Sequence, residues 1–436
     1  MVSATELTET AANERATWAD GDGVAARLAF TLRVAEHTLK VLGPNGYRDE
    51  SDSKLNVSAE KVIAESAIML LSAARAGRSR PDLRPRLDAL ALQLEPFARN
   101  KAVSARICLE PTVALDHGCA HICLSAAGYP DPDLDRLLTA ACEGIVDAFS
   151  RDRLPYHRLE KVWLRELIGG SAEGRPRLRD ERLADTALGR RLDALSGTGD
   201  DAYALTHTVM FATDLGGRRI RLPRPLDHIV ADLDAAVAVS LDRHDYDIAG
   251  ELLLCWPMLR LPWSQTAILG YRVLAGVDSE TGFLPTPVVD VARYRSLPVD
   301  HQSAYLLATT YHTVYVMGLL SAAVLTAGNP EGGVTSEYFG IDGSAELLQY
   351  ATLHRSPQWL RYFSLSPAKE QAGLTPFLLT IALRRAVDKR DFRLVERLLD
   401  LADRFQLATT VAARQAHDIL SRVALLATIR GNYYSA

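Results

Sequence analysis

Histidines and carboxylates recur at helical spacing inside apolar stretches of this sequence. His117 and His121, within Leu115–Leu124, lie four residues apart and share one helix face. That spacing lets two imidazoles ligate one divalent metal such as zinc, with Glu160, His207 or His312 completing the shell. The glutamate of an HExxH helix and paired CxxC ligands are both absent. The same two histidines therefore also suit a hydrogen-bonded polar core tied to Asp116. His157 and Glu160, three apart, suit acid–base work, because a carboxylate orients an imidazole and raises its pKa. Lys161 and Arg165 beside them offer the competing reading of an exposed charged face. His207 is followed by Asp214, and His312 stands in a further apolar run. The candidate catalytic set is thus His157, Glu160, His207, Asp214 and His312, with His117 and His121 as candidate metal ligands. Arg218, Arg219, Arg221 and Arg224 place four arginines in seven residues. Arginine forks bind carboxylates and phosphates bidentately, so the first three are candidates for docking an anionic substrate group. A solvated basic loop paired with nearby acids is the alternative.

Other familiar chemistries lack their residues. There is no GxSxG elbow, no Rossmann GxGxxG, no phosphate loop at Gly216-Gly217 and no kinase set. The aspartate-rich and DxDD motifs of terpene synthases and cyclases are missing, as is the Cys-His-Gly motif of lanthionine cyclases. Asp131-Pro132-Asp133-Leu134-Asp135 reads as a helix start with Asp at capping positions.

The elements that must position these residues are helices. Periodicity predicts helices over 24–42, 58–76, 82–95, 104–127, 132–149, 155–169, 179–195, 201–214, 225–241, 246–259, 264–274, 302–327, 344–353, 376–387, 391–405 and 409–428. Pro96 is expected to close the third, and the stretch from Gly276 to Pro298 to be a long loop, either a lid or a linker. Short Gly- and Pro-containing links imply an all-α fold of antiparallel helix pairs. An α/α toroid or barrel-like array is expected, with an open helical solenoid as the alternative. Polar groups on separate helices favour the toroid, where one centre lets them meet. The expected organisation is a poorly ordered N-terminus over 1–20, a helical core over 21–330 and a C-terminal helical extension over 331–436 packed on it.

The 436 residues are 48% hydrophobic and 24% charged, with net charge −5, which gives no drive toward nucleic acid or anionic membranes. Five cysteines without small-domain spacing argue against a disulfide framework. Neither a signal peptide nor a run of about 18 apolar residues is seen. A cytoplasmic protein is expected.

Several segments, taken in order, carry a resemblance: Leu115-Asp116-His117-Gly118 with His121, Pro155–Glu160 with Trp163, Leu205–Thr208 with Phe211–Gly216, Gly250–Leu254, and Tyr311-His312-Thr313. Together the chain resembles, over residues 25 to 330, an uncharacterised family of helical actinobacterial proteins catalogued as a domain of unknown function. The resemblance implies a mostly helical protein encountered near natural-product genes, and it implies no activity. The resemblance implies a place in secondary metabolism, and from the residues we expect an enzyme, a lyase, cyclase or hydrolase. Its His/Asp/Glu centre would act by elimination, cyclisation or hydrolysis on a small or peptide-derived anionic substrate. The alternative is a non-catalytic helical protein, a homodimer or the partner of a biosynthetic enzyme.

Overall fold

Capping chemistry sets many of the helix starts. In the computed structural model, which describes residues 20–48, 56–143, 154–169, 183–286, 288–328, 343–353 and 357–433, Asp20, Ser58, Asn100, Asp131, Asp245 and Ser264 each accept a backbone N–H of the first helical turn. Residues 1–19, expected to be a poorly ordered terminus, lie outside the described residues. In chain order the helices are α1 (Gly21–Lys40), α2 (Ala59–Ala76), α3 (Arg84–Ala98), α4 (Lys101–Leu109), α5 (Ala114–Ala126), α6 (Pro132–Cys142), α7 (Pro155–Gly169), α8 (Gly199–Ala212), α9 (Leu226–Asp242) and α10 (Tyr246–Leu259). They continue with α11 (Gln265–Thr281), α12 (Val291–Ser296), α13 (Val299–Ala327), α14 (Ser344–Ala351), α15 (Trp359–Leu365), α16 (Ala368–Gly373), α17 (Thr375–Asp388), α18 (Phe392–Arg404) and α19 (Val411–Tyr433). The described residues are all-α apart from one two-residue antiparallel pairing, β1 (Tyr47–Arg48) with β2 (Asn56–Val57).

Several expected boundaries move. Pro96 sits inside α3 rather than ending it. The expected helix over 104–127 is two, because Pro111 opens a 3-10 turn between α4 and α5. Of the expected helix over 179–195, residues 179–182 lie outside the described residues, and 185–195 are an irregular connection with one 3-10 turn at Ala187–Gly189. The expected loop after Gly276 is shorter. α11 continues to Thr281 and ends at Gly282, whose φ of 80° suits glycine.

The helices that carry the polar groups pack in a closed order. α2 packs on α5, α5 on α7, α7 on α8, α8 on α10, α10 on α13, and α13 back on α2. Outside them, α1 covers α13 and α2, α3 covers α2 and α5, α6 covers α5 and α7, and α9 and α11 cover α10. The C-terminal helices attach through α17, which packs on α9, α14, α18 and α19. Arg385 of α17 grips Asp242 at the end of α9, with Nε 2.8 Å from Oδ2, and the Trp359 indole also donates to that carboxylate at 3.2 Å. One apolar core runs from α1 into α19.

The 29-residue α13 is apolar nearly all round, as a helix enclosed by others must be. Its stretch 301–327 is long and apolar enough to cross a membrane by length and composition, and 83% of that window is buried by its own neighbours. Glycine permits two of its contacts. Gly318 meets the Thr31 side chain of α1. On the facing helix, a Cβ at Gly250 would stand 2.6 Å from Val316 Cγ1. That close approach of α10 to α13 brings Glu251 beside His312.

Candidate active site

The structure brings two of the five candidate histidines together and sets the other three apart. His121 is fully buried; its Nδ1 accepts from Arg99 Nε at 3.2 Å and its Nε2 donates to Asp135 Oδ1 at 2.9 Å. Both ring nitrogens are thereby occupied, and burial lowers its pKa, so it is a neutral strut between α5, α6 and the end of α3. His117 turns its Nε2 to Glu110 instead, at 2.9 Å. The two imidazoles of the expected metal pair therefore address different carboxylates. Among the described residues no three His, Cys, Asp or Glu side chains are grouped to hold a metal ion. His157 does pair with Glu160, Nδ1 to Oε2 at 3.4 Å, but on an exposed face. Lys161, expected on that same face, is instead buried and paired with Asp116; burial pushes its ammonium down to about 8.

Two other expected residues are structural. Asp214 lies just past the end of α8 in a left-handed conformation, where it accepts from Arg75 Nη2 at 2.9 Å and from the Trp163 indole at 2.7 Å. It thus ties α2 and α7 to the α8 terminus. Arg218, expected to dock an anion, pairs with Glu166 and donates to the carbonyls of Phe211 and Ala212. Arg219 and Arg221 are exposed on the connection to α9.

His207 and His312 do meet, and they meet through a residue that had served only in the family resemblance. Glu251, buried in α10, stands with Oε2 3.6 Å from His207 Nδ1 and Oε1 3.4 Å from His312 Nε2. Thr206 holds it in place, donating to Oε2 at 2.6 Å. The other ring nitrogen of His312 lies 3.3 Å from Glu65 Oε2 on α2, and Asp247 Oδ1 is 3.6 Å from Nε2. Both nitrogens of His312 thus face carboxylates and must carry protons. Burial disfavours its charge, yet Asp247, Glu65 and Glu251 outweigh burial and lift its pKa well above the ordinary 6.5. In return Glu65 and Glu251 are lowered despite their own burial.

His207 differs. Its Nδ1 lies 3.1 Å from the Tyr203 carbonyl, which can only accept, so Nδ1 carries the hydrogen and Nε2 keeps its lone pair. Burial lowers its pKa, and the charge on His312 adds to that. Asp247 is raised to about 6, by desolvation first and by Glu251 among its other acidic neighbours. His312 and Asp247 retain 28% and 29% of their side-chain surface, although burial weighs heavily on both, against the charge of His312 and for the raised pKa of Asp247.

A cleft of about 750 Å³ opens beside this centre between the starts of α7 and α8 and the 185–193 connection. Tyr156 and Tyr203 form its aromatic wall. Tyr203 stacks on His207 with ring centres 3.7 Å apart, and Tyr156 stands edge-on to both. The wall is therefore one ring thick between cleft and His207.

Glu65, Asp247 and Glu251 carry the centre, and each was masked in its own way in the sequence. Glu65 is four residues from Lys61 and reads as a surface pair; Asp247 reads as a first-turn acid of α10. Glu251 had a signal that could have found it. It is the one charged residue in the apolar run from Ile248 to Met258.

An all-α chain with a histidine–carboxylate centre shared by four helices is the class these features define. Within it, the chain belongs to the family described as Domain of unknown function (DUF6895), matched over residues 31–322. That span includes Glu65, His207, Asp247, Glu251 and His312. No curated protein and no solved structure matches the chain.

Proposed function

We propose that this protein is an acid–base enzyme in which His312 is the general acid, His207 the general base, and Glu251 the carboxylate that couples them. The observation that supports this is the opposite displacement of two histidines on one glutamate: His312 is held protonated and His207 neutral with a bare Nε2. Environments that push two titratable groups apart divide an acid role from a base role. A proton leaves the substrate for His207 Nε2 and another is delivered from His312, which suits elimination, cyclisation or hydrolysis of a small or peptide-derived substrate. The anionic dock expected at Arg218 is not retained, since that guanidinium is already engaged. We take α2, α5, α7, α8, α10 and α13 as the inner wall of an α/α toroid. The closed order of their contacts favours that over an open solenoid, whose end helices share no neighbour. An actinobacterial source and a place in secondary metabolism rest on the family resemblance alone.

Histidine ring NMR across a pH series tests the reading. His207 should titrate below the ordinary histidine value and His312 above it, and Glu251→Gln should bring the two together by lowering His312. Two histidines that titrate together in the unaltered protein reject it. Once a substrate is known, His207→Gln and His312→Gln should each lower turnover by roughly 10²–10⁴-fold.

A second reading, self-association or a partner protein, draws on α19. Leu425, Leu426 and Ile429 are exposed on its last turns, Ile429 standing three and four residues after the two leucines and so on their face. Sedimentation of the full chain, with Leu426→Glu as comparison, decides it; a monomer at all concentrations rejects self-association.

A further inference from the structure

The interior centre is not neutral. Three carboxylates, Glu65, Asp247 and Glu251, face one imidazolium, and Lys61, 3.7 Å from Glu65, is more than half exposed. Glu65 and Glu251 are both served by His312, and Glu251 also by Thr206. Asp247 faces the same imidazolium, its Oδ1 3.6 Å from His312 Nε2, but just beyond hydrogen-bond reach. Its Oδ1 is shut off from solvent and accepts no hydrogen bond from the described residues, while 29% of the side chain faces open space. One imidazolium shared among three carboxylates does not neutralise them, and a desolvated carboxylate with no hydrogen-bond donor is stabilised by a further cation or by protonation.

The cleft has the same sign. Its lining carries Asp185, Asp193, Asp200 and Asp201 against Arg190 and Arg191. Acidic groups bear on both tyrosines: Glu251, Glu65 and Glu160 on Tyr203, Glu160 and Asp200 on Tyr156. Aromatic faces set among carboxylates are the arrangement that recognises ammonium and guanidinium groups. A metal ion would need converging ligands that the described residues do not supply.

We propose that the substrate carries a cationic group, a primary ammonium or guanidinium, which passes the Tyr156–Tyr203 wall and pairs with Asp247. This rests on the acid–base reading and adds the substrate class to it. With the cation on Asp247, the atoms next to it lie within reach of His312, 3.6 Å from the same carboxylate. The proton transfers then occur beside the charged group, not on it.

The test is calorimetric titration of the full chain at about pH 8, where an alkyl ammonium stays protonated, with benzylammonium, benzyl alcohol and benzoate as three probes of one shape. Benzylammonium should bind about tenfold or more tighter than benzyl alcohol, and benzoate weakest. Asp247→Asn should return the ammonium to the affinity of the alcohol. Benzoate or benzyl alcohol binding as tightly as the ammonium, or no ammonium binding at all, overturns the proposal. If Asp247→Asn does not fold, the three probes on the unaltered protein still decide. The histidine titrations are read without any probe, so a wrong substrate charge and a wrong acid–base centre give separate failures.

Discussion

His121 and His312 are both histidines inside apolar helices, each in contact with carboxylate, and they do opposite things. His121 has one donor and one acceptor to place and finds one partner for each, so nothing is left over. His312 must donate twice, does so into a surplus of carboxylate, and still keeps a quarter of its surface open. Burial and polar company do not distinguish a strut from a reactive group. Whether the hydrogen-bond and charge inventory closes does.

The largest effect that would break this contrast is expected at the strut. His121→Ala removes one partner each from Arg99, which keeps Tyr129 and Glu95, and from Asp135, which keeps Ser125, and it empties a fully buried site. Denaturant unfolding should show a loss of about 3 kcal/mol. The His207 and His312 titrations should stay unchanged. A variant as stable as the parent would mean that His121 is not structural. Gly250→Ala should cost about 2 kcal/mol, because a methyl group there drives into Val316, a stiff β-branched neighbour. By pushing α10 from α13 it should also lower the His312 pKa, which a purely local clash would not.

The third effect has the other sign. Asp247→Asn removes a desolvated charge with no donor at Oδ1, so it should raise stability at neutral pH by about 1 kcal/mol, as removal of functional strain does. Its pH dependence sharpens the assignment. Asp247 titrates at its ordinary 3.8 when unfolded and at about 6 when folded. Between those values the folded chain holds more protons, and stability falls as pH rises. Glu65 and Glu251, lowered in the fold, act oppositely: their contribution is present above 4.5 and is lost as pH falls. His312, raised in the fold, contributes fully below 6.5 and loses its contribution as pH climbs through its raised value. Subtracting the Asp247→Asn stability curve from that of the parent should leave a drop confined to about pH 4–6. A flat difference would mean that Asp247 is not desolvated.

Helices were legible from apolar periodicity, and so was the general idea that polar groups on separate helices meet. His207 and His312 were both singled out from their apolar surroundings, and both stand against Glu251. The partners were harder to see, because periodicity reports which face is apolar but not which helix lies opposite. Glu65 beside Lys61 and Asp247 in a first turn each satisfy a local rule that accounts for an acid without any long-range role. Lys161 misled for the same reason: its flanking charges suggested solvent, whereas Asp116 from another helix compensates it in the interior. Asp214 follows His207 in sequence, yet the turn past the close of α8 aims it at Arg75 and Trp163.

The closure of α13 onto α1 and α2 also fixes when this centre can exist. His312 bonds to Glu65 across 247 positions of chain, and Thr31 bonds to the Val314 carbonyl across 283. At about 5–20 residues per second a ribosome needs roughly 10–50 s to cover the first of these gaps. During that interval the carboxylates of α2 and α10 are synthesised without their imidazolium. The acid of the centre is thus among the last groups delivered, and a chain interrupted before α13 holds the carboxylates but no working acid.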